Sequence, residues 1–518
     1  MGRLWTCLLI MTIGCVSWTA PVHLATGAAN LVKPSGQADF NGDGFADLAV
    51  GAYESVHVLY GSQAGLSAVG NQLWSRDSPG IAGYEHVGFG ASLAASDFNG
   101  DGFGDLAVGA AEDPEDPEVS SEAGGSVTVI YGSAAGLTAV GIQFWSQASP
   151  GIPGTGEAED LFGVSLAAAN FGNGRHADLL VGIPGEDIGA VENAGAVQVL
   201  YGSADGLTST GNRRWTQNSS GISSRTESDD WFGWSVAAGD FGRSGYADAA
   251  IGSDEEDVGK RGGAGVVHVM FGSAAGLTSS GSQMWSQNSR GVPGVAEGGD
   301  GFGSALAAAN LGWDGHADLA VGIWGENNDA GAVILLSGSG SGLTSAGSQL
   351  WSQDSEGIDG VAETEDFFGA TLTAGDFGKS GYADLAVGLS EESIGDVQLS
   401  GAVNMIYGSA RGLTSAGNQL LSPGSAGIKG AVSERAHFGY SVAAGNFGKS
   451  GRADLAIGAP GPDIGEDGGP GSGAVHVVYG SATGLTPAGD QLWSPDTPGL
   501  LGEPEEVLLF GSALVASQ

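Results

Sequence analysis

The chain has 518 residues, of which 96 are glycine, and 17 basic and 59 acidic residues give it a formal net charge of −42. Average glycine usage is about 7%, and an interior glycine costs a helix about 1 kcal/mol relative to alanine. The composition therefore disfavours long helices, and the negative charge excludes nucleic acid and anionic membrane surfaces as favourable partners. Because 41% of the residues are hydrophobic and 12 are tryptophan, we expect an acidic, turn-rich, all-β globular protein.

The first residues have the features of a secretory signal peptide, which we place at residues 1–28. Arg3 supplies the positive start, the apolar run 4–16 is too short to span a bilayer, and small residues at 25–28 offer a cleavage site. The alternative is a buried N-terminal strand or helix. Residues 29–37 are predicted to be a short linker, and no other apolar run is long enough to cross a membrane.

Both cysteines, Cys7 and Cys15, lie inside this segment. The mature chain is therefore expected to contain no disulfide and to be secreted, either extracellular or at the cell surface. A lipoprotein anchor at Cys15 is the minor alternative, because Thr12 stands where such a cleavage site needs an aliphatic residue.

A repeat of 66 to 73 residues runs through the rest of the chain. It is marked by Phe-Gly pairs that begin at Phe89, Phe162, Phe232, Phe302, Phe368, Phe438 and Phe510. In the first six units that begin with Phe-Gly, an aspartate stands sixteen residues after the phenylalanine. Asp47 is the equivalent aspartate of the first unit, which has no Phe-Gly pair. A second marker, usually Tyr-Gly-Ser, is followed fourteen residues after its first residue by Trp74, Trp145, Trp215, Trp285, Trp351, Leu421 or Trp493. Insertions fall only between the markers, as expected if the markers are strands.

Each unit contains four short strand-like runs, which in the second unit are 89–96, 105–110, 126–131 and 142–146. Four strands in about 70 residues are typical of a β-propeller blade, whereas tandem β-sandwiches would need periods of seven strands. We therefore predict a seven-bladed β-propeller of four-stranded blades over residues 38–518. Its repeats begin near residues 38, 89, 162, 232, 302, 368 and 438.

The two ends of the repeat region complement each other. The first unit lacks its Phe-Gly strand, and the chain ends with a lone one at 510–516. The C-terminal strand is therefore expected to become the inner strand of the first blade, which closes the ring without a free sheet edge.

Two loops between the first and second strands carry oxygen-bearing residues at the spacing of a calcium-binding loop. The first has Asp39, Asn41, Asp43, the carbonyl of Phe45, and Asp47; the second has Asp97, Asn99, Asp101, the carbonyl of Phe103, and Asp105. Oxygen-only ligands around a sharp glycine turn follow the logic of an EF-hand loop, although the glutamate of its last position is missing. We predict about two Ca²⁺ sites here; the alternative is an Asx-rich turn that satisfies its own backbone.

The other five loops lack this pattern. Arg243, Lys379 and Lys449 stand in three of them, where each could offset the loop carboxylates without a metal. The loop with Asn310, Asp314 and Asp318 is intermediate and is kept as a weaker metal candidate. In all five, the structural turn is the favoured interpretation.

The stretches Phe-Gly-x-Ser-Leu-Ala and Asp-Phe-Asn-Gly-Asp-Gly-Phe-x-Asp-Leu-Ala-Val-Gly-Ala resemble the FG-GAP repeats of the integrin α-subunit head. Similar repeats occur in glycosylphosphatidylinositol phospholipase D and in secreted bacterial proteins. The resemblance covers about residues 38–518. It implies a seven-bladed propeller, calcium in the hairpin loops and a role in adhesion or ligand binding. In integrins the calcium loops lie in later blades, whereas the full motifs here are in the first two units.

Four consecutive units carry Glu-x-x-Asp before the Phe-Gly strand, in loops expected at the opposite rim from the calcium hairpins. These are the pairs Glu157 and Asp160, Glu227 and Asp230, Glu297 and Asp300, and Glu363 and Asp366. The loops between the second and third strands add Glu186, Asp187, Glu256, Asp257, Glu326 and Asp463. The acids are predicted to form a ligand face for a basic partner, further cations or a polyol. The alternative is that these acids recur only because the repeat was duplicated, and that they serve to solvate the loops.

No catalytic motif is present in the sequence: the eight histidines are scattered, and there is no Gly-x-Ser-x-Gly elbow. We therefore expect a secreted, monomeric, calcium-binding adhesion or ligand-binding module whose ligand is a protein or a glycan. The alternatives are a calcium-dependent lectin and a polysaccharide or ester hydrolase or lyase that uses the acidic face.

Overall fold

The computed structural model describes residues 38–52, 54–81, 88–111, 124–312, 315–461, 473–502 and 509–516. The predicted signal peptide and linker, with Cys7 and Cys15, lie outside the described residues. Within them the protein is all-β, apart from one four-residue helix, α1 (Glu326–Asp329). No helix in the described part of the chain has the length and apolar character needed to cross a membrane.

The strands follow one another in seven groups of four, with one strand split in the third group. In chain order they are β1 Leu48–Ala52, β2 Ser55–Tyr60, β3 Ser67–Ser75, β4 Ser92–Ser96, β5 Asp105–Ala110, β6 Ser126–Tyr131, β7 Thr138–Trp145, β8 Leu166–Ala169, β9 Asp178–Ile183, β10 Ala196–Ser203, β11 Gly206–Thr208, β12 Arg214–Trp215, β13 Val236–Gly239, β14 Asp248–Ser253, β15 Val266–Phe271, β16 Thr278–Trp285, β17 Phe302–Ala309, β18 Asp318–Ile323, β19 Ala332–Ser337, β20 Thr344–Trp351, β21 Thr371–Gly375, β22 Asp384–Leu389, β23 Ala402–Ser409, β24 Gly412–Leu421, β25 Ser441–Gly445, β26 Asp454–Ala459, β27 Ala474–Tyr479, β28 Thr486–Trp493 and β29 Ala513–Val515.

Each group forms one antiparallel sheet, and the seven sheets are the blades of a seven-bladed β-propeller. In the third blade, β11 and β12 both pair with β10 and together take the place of the outer strand. The predicted fold class is confirmed.

The first blade is completed by the C-terminal strand, as the sequence predicts. Strand β29 pairs with β1 in the register Ala49 to Val515, Val50 to Leu514 and Gly51 to Ala513. The sheet order is then β29-β1-β2-β3, so the first and last parts of the chain share one blade. Because the ring is closed in this way, the first blade has the same number of strands as the blades on either side of it.

The core is divided among seven hydrophobic clusters, and each cluster combines residues of two neighbouring blades. The tryptophan of the outer strand takes part in them: Trp74, for example, packs against Leu106 and Ile130 of the second blade. In the sixth blade Leu421 fills the same place. The repeated tryptophan therefore packs between blades.

Neighbouring blades approach closely where a glycine of the second strand meets the carbonyl of the next blade's Phe-Gly. A Cβ built on that glycine would lie less than 3.0 Å from the carbonyl oxygen at every interface. The pairs are Gly51 with Gly90, Gly109 with Gly163, Gly182 with Gly233, Gly252 with Gly303, Gly322 with Gly369, Gly388 with Gly439, and Gly458 with Gly511. Both glycines of the repeat therefore have a packing role.

At four of the seven blade interfaces, a tyrosine and a glutamine join one blade to the next farther from the axis. The Tyr60 hydroxyl donates to Gln72 Oε1 (2.5 Å) and accepts from the Leu137 amide of the second blade (3.3 Å). Gln72 Nε2 donates to the Leu137 carbonyl (2.9 Å). The same triad recurs as Tyr131, Gln143 and Leu207; Tyr407, Gln419 and Leu485; and Tyr479, Gln491 and Leu66. The last of these links the seventh blade to the first.

Deleting residues 509–518 should destabilise the whole ring. The deletion removes Phe510 and Leu514, which are fully buried, and exposes the edge of β1. Loss of a buried phenylalanine or leucine costs about 2–5 kcal/mol each, which is comparable to the total stability of many domains. Thermal unfolding followed by circular dichroism should show a large drop in Tm. Deleting only 517–518, which leaves β29 intact, is the control, and an unchanged Tm for the longer deletion would contradict ring closure.

Candidate functional site

The seven hairpin loops between the first and second strands form a continuous ring on one rim of the propeller. Each loop ends with an aspartate at the start of the second strand, and the residue before that aspartate donates its backbone N–H to the neighbouring loop. The acceptor is the backbone carbonyl of the first residue of the hairpin loop in the preceding blade. The seven hydrogen bonds are 2.8–3.3 Å long and run from Gly104 to Asp39, Ala177 to Asp97, Ala247 to Asn170, Ala317 to Asp240, Ala383 to Asn310, Ala453 to Asp376 and Ala46 to Asn446. The two predicted calcium loops are therefore direct neighbours.

The aspartate at the end of each hairpin closes the loop from inside. Asp47 Oδ2 accepts from the Phe40 amide (2.8 Å) and Oδ1 from the Gly61 amide (2.9 Å), and its side chain is fully buried. The equivalent pairs of bonds recur in all seven blades, at Asp47, Asp105, Asp178, Asp248, Asp318, Asp384 and Asp454. This backbone role is common to loops with and without the other predicted ligands.

Sequence reasoning assigned Asp47, Asp105 and Asp318 as metal ligands and did not see the backbone role. The sequence does indicate this role, because the aspartate at the end of the hairpin keeps its distance from Phe-Gly even in loops that lack the other predicted ligands. Both oxygens of each accept from backbone amides, and both oxygens of Asp39 do the same. Each carboxylate oxygen has two lone pairs, so these hydrogen bonds leave all of the predicted ligands able to face an ion.

The first loop gathers its oxygens around the sharp turn. Asp39 Oδ1 accepts from the Asp43 amide (3.0 Å), and Asp39 Oδ2 accepts from the Gly44 amide (2.9 Å). Asn41 Oδ1 accepts from the Asp43 amide (2.8 Å), and Asp43 Oδ1 accepts from the Phe45 amide (3.0 Å). Asp43 is exposed, and Asp39 and Asn41 are half-buried.

The second loop is built in the same way. Asp97 Oδ2 accepts from the Gly102 amide (3.0 Å), Asn99 Oδ1 from the Asp101 amide (2.8 Å), and Asp101 Oδ1 from the Phe103 amide (3.0 Å). The Phe103 ring lies over Gly42 of the first loop, where it would collide with a Cβ. The two loops thus share both a backbone hydrogen bond and a side-chain contact.

The pKa of the first aspartate in each of these loops is raised. Burial raises the pKa of Asp39 and of Asp97, and the neighbouring charges of Asp43 and Asp101 act in the same direction. A cation among them would relieve this repulsion. Asp and Asn side chains with a backbone carbonyl are the oxygen ligands that Ca²⁺ prefers, so the donor chemistry of both loops fits calcium. No three His, Cys, Asp or Glu side chains come together as a metal site in the described ranges, so an asparagine or carbonyl oxygen would have to complete the set.

In three of the remaining loops a basic side chain lies over an aromatic ring of the third strand. The charged groups of Arg243, Lys379 and Lys449 lie 3.5–3.6 Å from the ring centroids of Phe271, Tyr407 and Tyr479 respectively. Burial raises the pKa of Asp248 to about 8 and that of Asp454 to about 7, and the nearby Arg243 and Lys449 oppose the shift.

The weaker metal candidate is only partly described. Asn310 Oδ1 accepts from the Gly312 amide at 3.3 Å, and Asp318 makes the two backbone bonds given above, while Asp314 lies outside the described residues.

On the opposite rim, the Glu-x-x-Asp pairs divide into an exposed and a buried member. The aspartate carboxylate accepts from the backbone amide of its own glutamate at 2.5–2.7 Å in all four loops. Asp160, Asp230, Asp300 and Asp366 are 1–3% exposed, whereas Glu157, Glu227, Glu297 and Glu363 face solvent. Each aspartate therefore holds a turn, and only the glutamates of the predicted ligand face are open to a partner.

A third carboxyl group joins each of these turns from the loop after the second strand. Glu186, Glu256, Glu326 and Glu392 accept from Nε2 of Gln147, Gln217, Gln287 and Gln353 respectively. The sequence analysis missed Glu392 and all four glutamines. The signal was the glutamine two residues after each of four tryptophans. Asp463 lies outside the described residues.

The buried acids predict a specific pH dependence. Burial raises the pKa of Asp178, Asp248 and Glu256 to about 8, far above the unfolded values of about 4. The folded protein then binds more protons than the unfolded chain, so stability falls as pH rises from 7 to 9, by up to about 1 kcal/mol per group.

Urea unfolding in EDTA measures this slope. The range begins at pH 7 because the buried His57, His268 and His476, whose pKa values burial lowers to about 4, are neutral there. Glu256→Gln should reduce the slope, whereas substitution of the exposed Asp205 by Asn should leave it unchanged. Stability that rises between pH 7 and pH 9 would contradict the assignment.

Comparison with known proteins agrees with the fold and the loops. Family models for the FG-GAP repeat match residues 89–130 and 438–478, and one for an FG-GAP-like repeat matches residues 39–108. The human phosphatidylinositol-glycan-specific phospholipase D is 32% identical over 217 residues, which cover 38% of this chain and 24% of that protein. Integrin alpha-5 of Xenopus laevis is 30% identical over 237 residues, which cover 44% of this chain and 20% of the integrin.

The chain thus spans about a quarter or less of the length of these relatives. A rhamnogalacturonan lyase from Bacillus licheniformis superposes with a TM-score of 0.33 and 10% identity over 90% of this chain and 91% of that one, a similarity too low to bear on function. The family matches include both predicted calcium loops and the seventh blade. The first, second and seventh units of this propeller thus match the FG-GAP and FG-GAP-like repeats, and parts of the chain are similar to integrin α subunits and to phosphatidylinositol-glycan-specific phospholipase D.

Proposed function

We propose that this chain is a secreted, calcium-binding propeller that acts as a ligand-binding or adhesion module. The observation that carries the proposal is the pair of neighbouring hairpin loops with the same oxygen donors, joined by the hydrogen bond from the Gly104 amide to the Asp39 carbonyl. Secretion is supported by the signal-like residues 1–28.

The calcium part of the proposal follows from charge. Asp39 and Asp43 in the first loop, and Asp97 and Asp101 in the second, carry negative charge within one turn of chain. Ca²⁺ held by these carboxylates, by Asn41 or Asn99, and by the carbonyl of Phe45 or Phe103 would neutralise that charge and fix the loop. The basic residues Arg243, Lys379 and Lys449 stand in loops that lack these ligands, which fits a division between metal-bound and metal-free hairpins.

The binding part of the proposal rests on the form of the ring. Seven blades in mutual contact give a rigid platform whose loops present side chains at both rims. Glu157, Glu227, Glu297 and Glu363 are exposed at one rim and suit a basic surface on a partner. A protein or glycan ligand held at a propeller rim is also consistent with the similarity to integrin α subunits, although the chain covers only a small part of those proteins.

A glycan ligand bound through calcium is the second candidate, and a hydrolase or lyase is the third. Asp230 and Glu256, the paired carboxyls of the fourth blade, are 2% and 8% exposed. A catalytic pair must contact its substrate, so this burial favours binding over catalysis at that rim. A glycan array read with and without EDTA separates a calcium-dependent lectin from a module that binds protein.

Calorimetric titration with Ca²⁺ tests the central part of this proposal. The two hairpin loops should contribute about two bound ions, and Asp43→Ala should bind one ion fewer than the unaltered chain because it removes a carboxylate from the first loop only. Ser380→Ala is the matched control: Ser380 occupies the same loop position in the sixth blade, where the neighbouring ligands are missing, so the stoichiometry should not change.

Calcium should also raise the Tm of the full chain in proportion to the occupied sites. Stoichiometries of zero or seven, or an Asp43→Ala protein that binds as many ions as the unaltered chain, would contradict calcium binding in these loops.

A further inference from the structure

A second group of buried acids lies at the other end of the strands from the hairpin loops, in the fourth blade. Asp230 and Glu256 are 2% and 8% exposed, and the two carboxyl groups are close enough for the charge of Asp230 to raise the pKa of Glu256. Gln217, which is 1% exposed, donates from Nε2 to Glu256. Its Oε1 is buried without a hydrogen-bond partner in the described part of the chain, as is Oε1 of the equivalent Gln147 in the third blade.

The third blade shows what such a group requires. There Asp160, Glu186 and Gln147 occupy the equivalent positions, and the guanidinium of Arg214 forms an ion pair with Glu186 Oε1. Arg214 lies 28 residues after Glu186, just before the outer-strand Trp215. A cation supplied by the chain therefore balances the buried carboxylates in this blade.

The fourth blade lacks that cation. The residue 28 positions after Glu256 is Met284, which has no charge. None of the ion pairs among the described residues reaches Asp230 or Glu256. Burying carboxylates and an amide oxygen without a compensating charge is costly, so the cluster has the donors of a cation site and no cation from the protein.

The sixth blade repeats the arrangement. Gln353 Nε2 donates to Glu392 at 2.8 Å, Asp366 lies at the same turn, and Gln353 Oε1 is again buried without a partner among the described residues. Leu420 stands at the position of Arg214. In the fifth blade, burial raises the pKa of Asp300 and the charge of Arg261 opposes the shift, so that pair is partly compensated by the chain.

We propose that the fourth and sixth blades each bind a hard divalent cation at this rim, through Asp230, Glu256 and Gln217 Oε1 in one and Asp366, Glu392 and Gln353 Oε1 in the other. Two carboxylates and an amide oxygen are ligands that Ca²⁺ and Mg²⁺ accept, with water completing the shell. These sites are separate from the hairpin loops and use residues of two consecutive blades, so an ion there would also link the blades.

The test uses Tb³⁺ as a calcium substitute in the full chain carrying Asp43→Ala and Asp101→Ala, so that the hairpin loops are disabled. Trp231 follows Asp230 directly and stacks edge-on against Trp234, which makes it a donor for sensitised Tb³⁺ emission. Trp324 contacts Phe367, the residue after Asp366, and would sensitise the sixth-blade site as well, so every arm also carries Glu392→Gln to disable that site. In this background we expect emission that Ca²⁺ competes away, and at least a fivefold loss of it when Glu256→Gln is added. The matched control is Glu186→Gln, in the blade where Arg214 already supplies the charge, and it should leave the emission unchanged.

A second variant protects the test against a folding defect. Met284 is 42% exposed, so Met284→Arg is expected to fold and to place a guanidinium where the third blade has Arg214. It should abolish the Tb³⁺ signal while raising the Tm in EDTA. Sensitised emission that is absent from the start, or that persists in both Glu256→Gln and Met284→Arg, would overturn the proposal. Because the hairpin loops are disabled in every arm, the result does not depend on whether they bind calcium.

Discussion

The close approach of backbone to backbone between blades is the constraint on which the rest of this structure depends. At each of the seven interfaces, a second-strand glycine such as Gly252 faces the carbonyl of the next blade's Phe-Gly, here Gly303, with no room for a Cβ. Strands this close must be made of small residues, which accounts for the alanine, serine and glycine of the inner strands. Large side chains are displaced outward, where the outer-strand tryptophans and leucines fill the wedge between blades. The high glycine content is thus a consequence of ring geometry.

The same packing positions the chemistry at the two rims. The hairpins are held in register by one hydrogen bond to each neighbour and are closed from within by a buried aspartate such as Asp47. Because these hydrogen bonds fix the backbone of every hairpin, the exposed residues can differ from loop to loop. One loop carries oxygen-bearing side chains around Asp43, whereas another carries Lys379, which lies over an aromatic ring. At the other rim the buried aspartates hold the turns, and the charge on the surface comes from the glutamates.

Much of the fold could be predicted because the repeat fixes it. The spacing of Phe-Gly, aspartate and tryptophan indicated seven units, and the lone strand at 510–516 indicated how the ring closes; both are confirmed. The site was less predictable, because a carboxylate looks the same in sequence whether it binds an ion, a backbone amide or another carboxyl. The spacing predicted Asp47 as a metal ligand, which stays a prediction, but it did not indicate the two backbone amides that Asp47 binds. It placed Asp230 on a ligand face, whereas the structure buries this side chain. The glutamines were missed because Gln217 has meaning only beside Glu256, which lies 39 residues away.

The most direct test of this account is the free energy of unfolding of Gly252→Ala, measured by urea denaturation against Gly451→Ala. A Cβ on Gly252 would overlap the Gly303 carbonyl and the Ser235 hydroxyl, whereas one on Gly451 meets no atom within 4 Å. Overpacking of this kind costs about 1–3 kcal/mol or more, and backbone atoms are less able to move aside than side chains. The account predicts a loss of at least about 2 kcal/mol for Gly252→Ala and little change for Gly451→Ala. Equal stabilities of the two variants would contradict the claim that glycine-to-carbonyl contact sets the spacing of the blades.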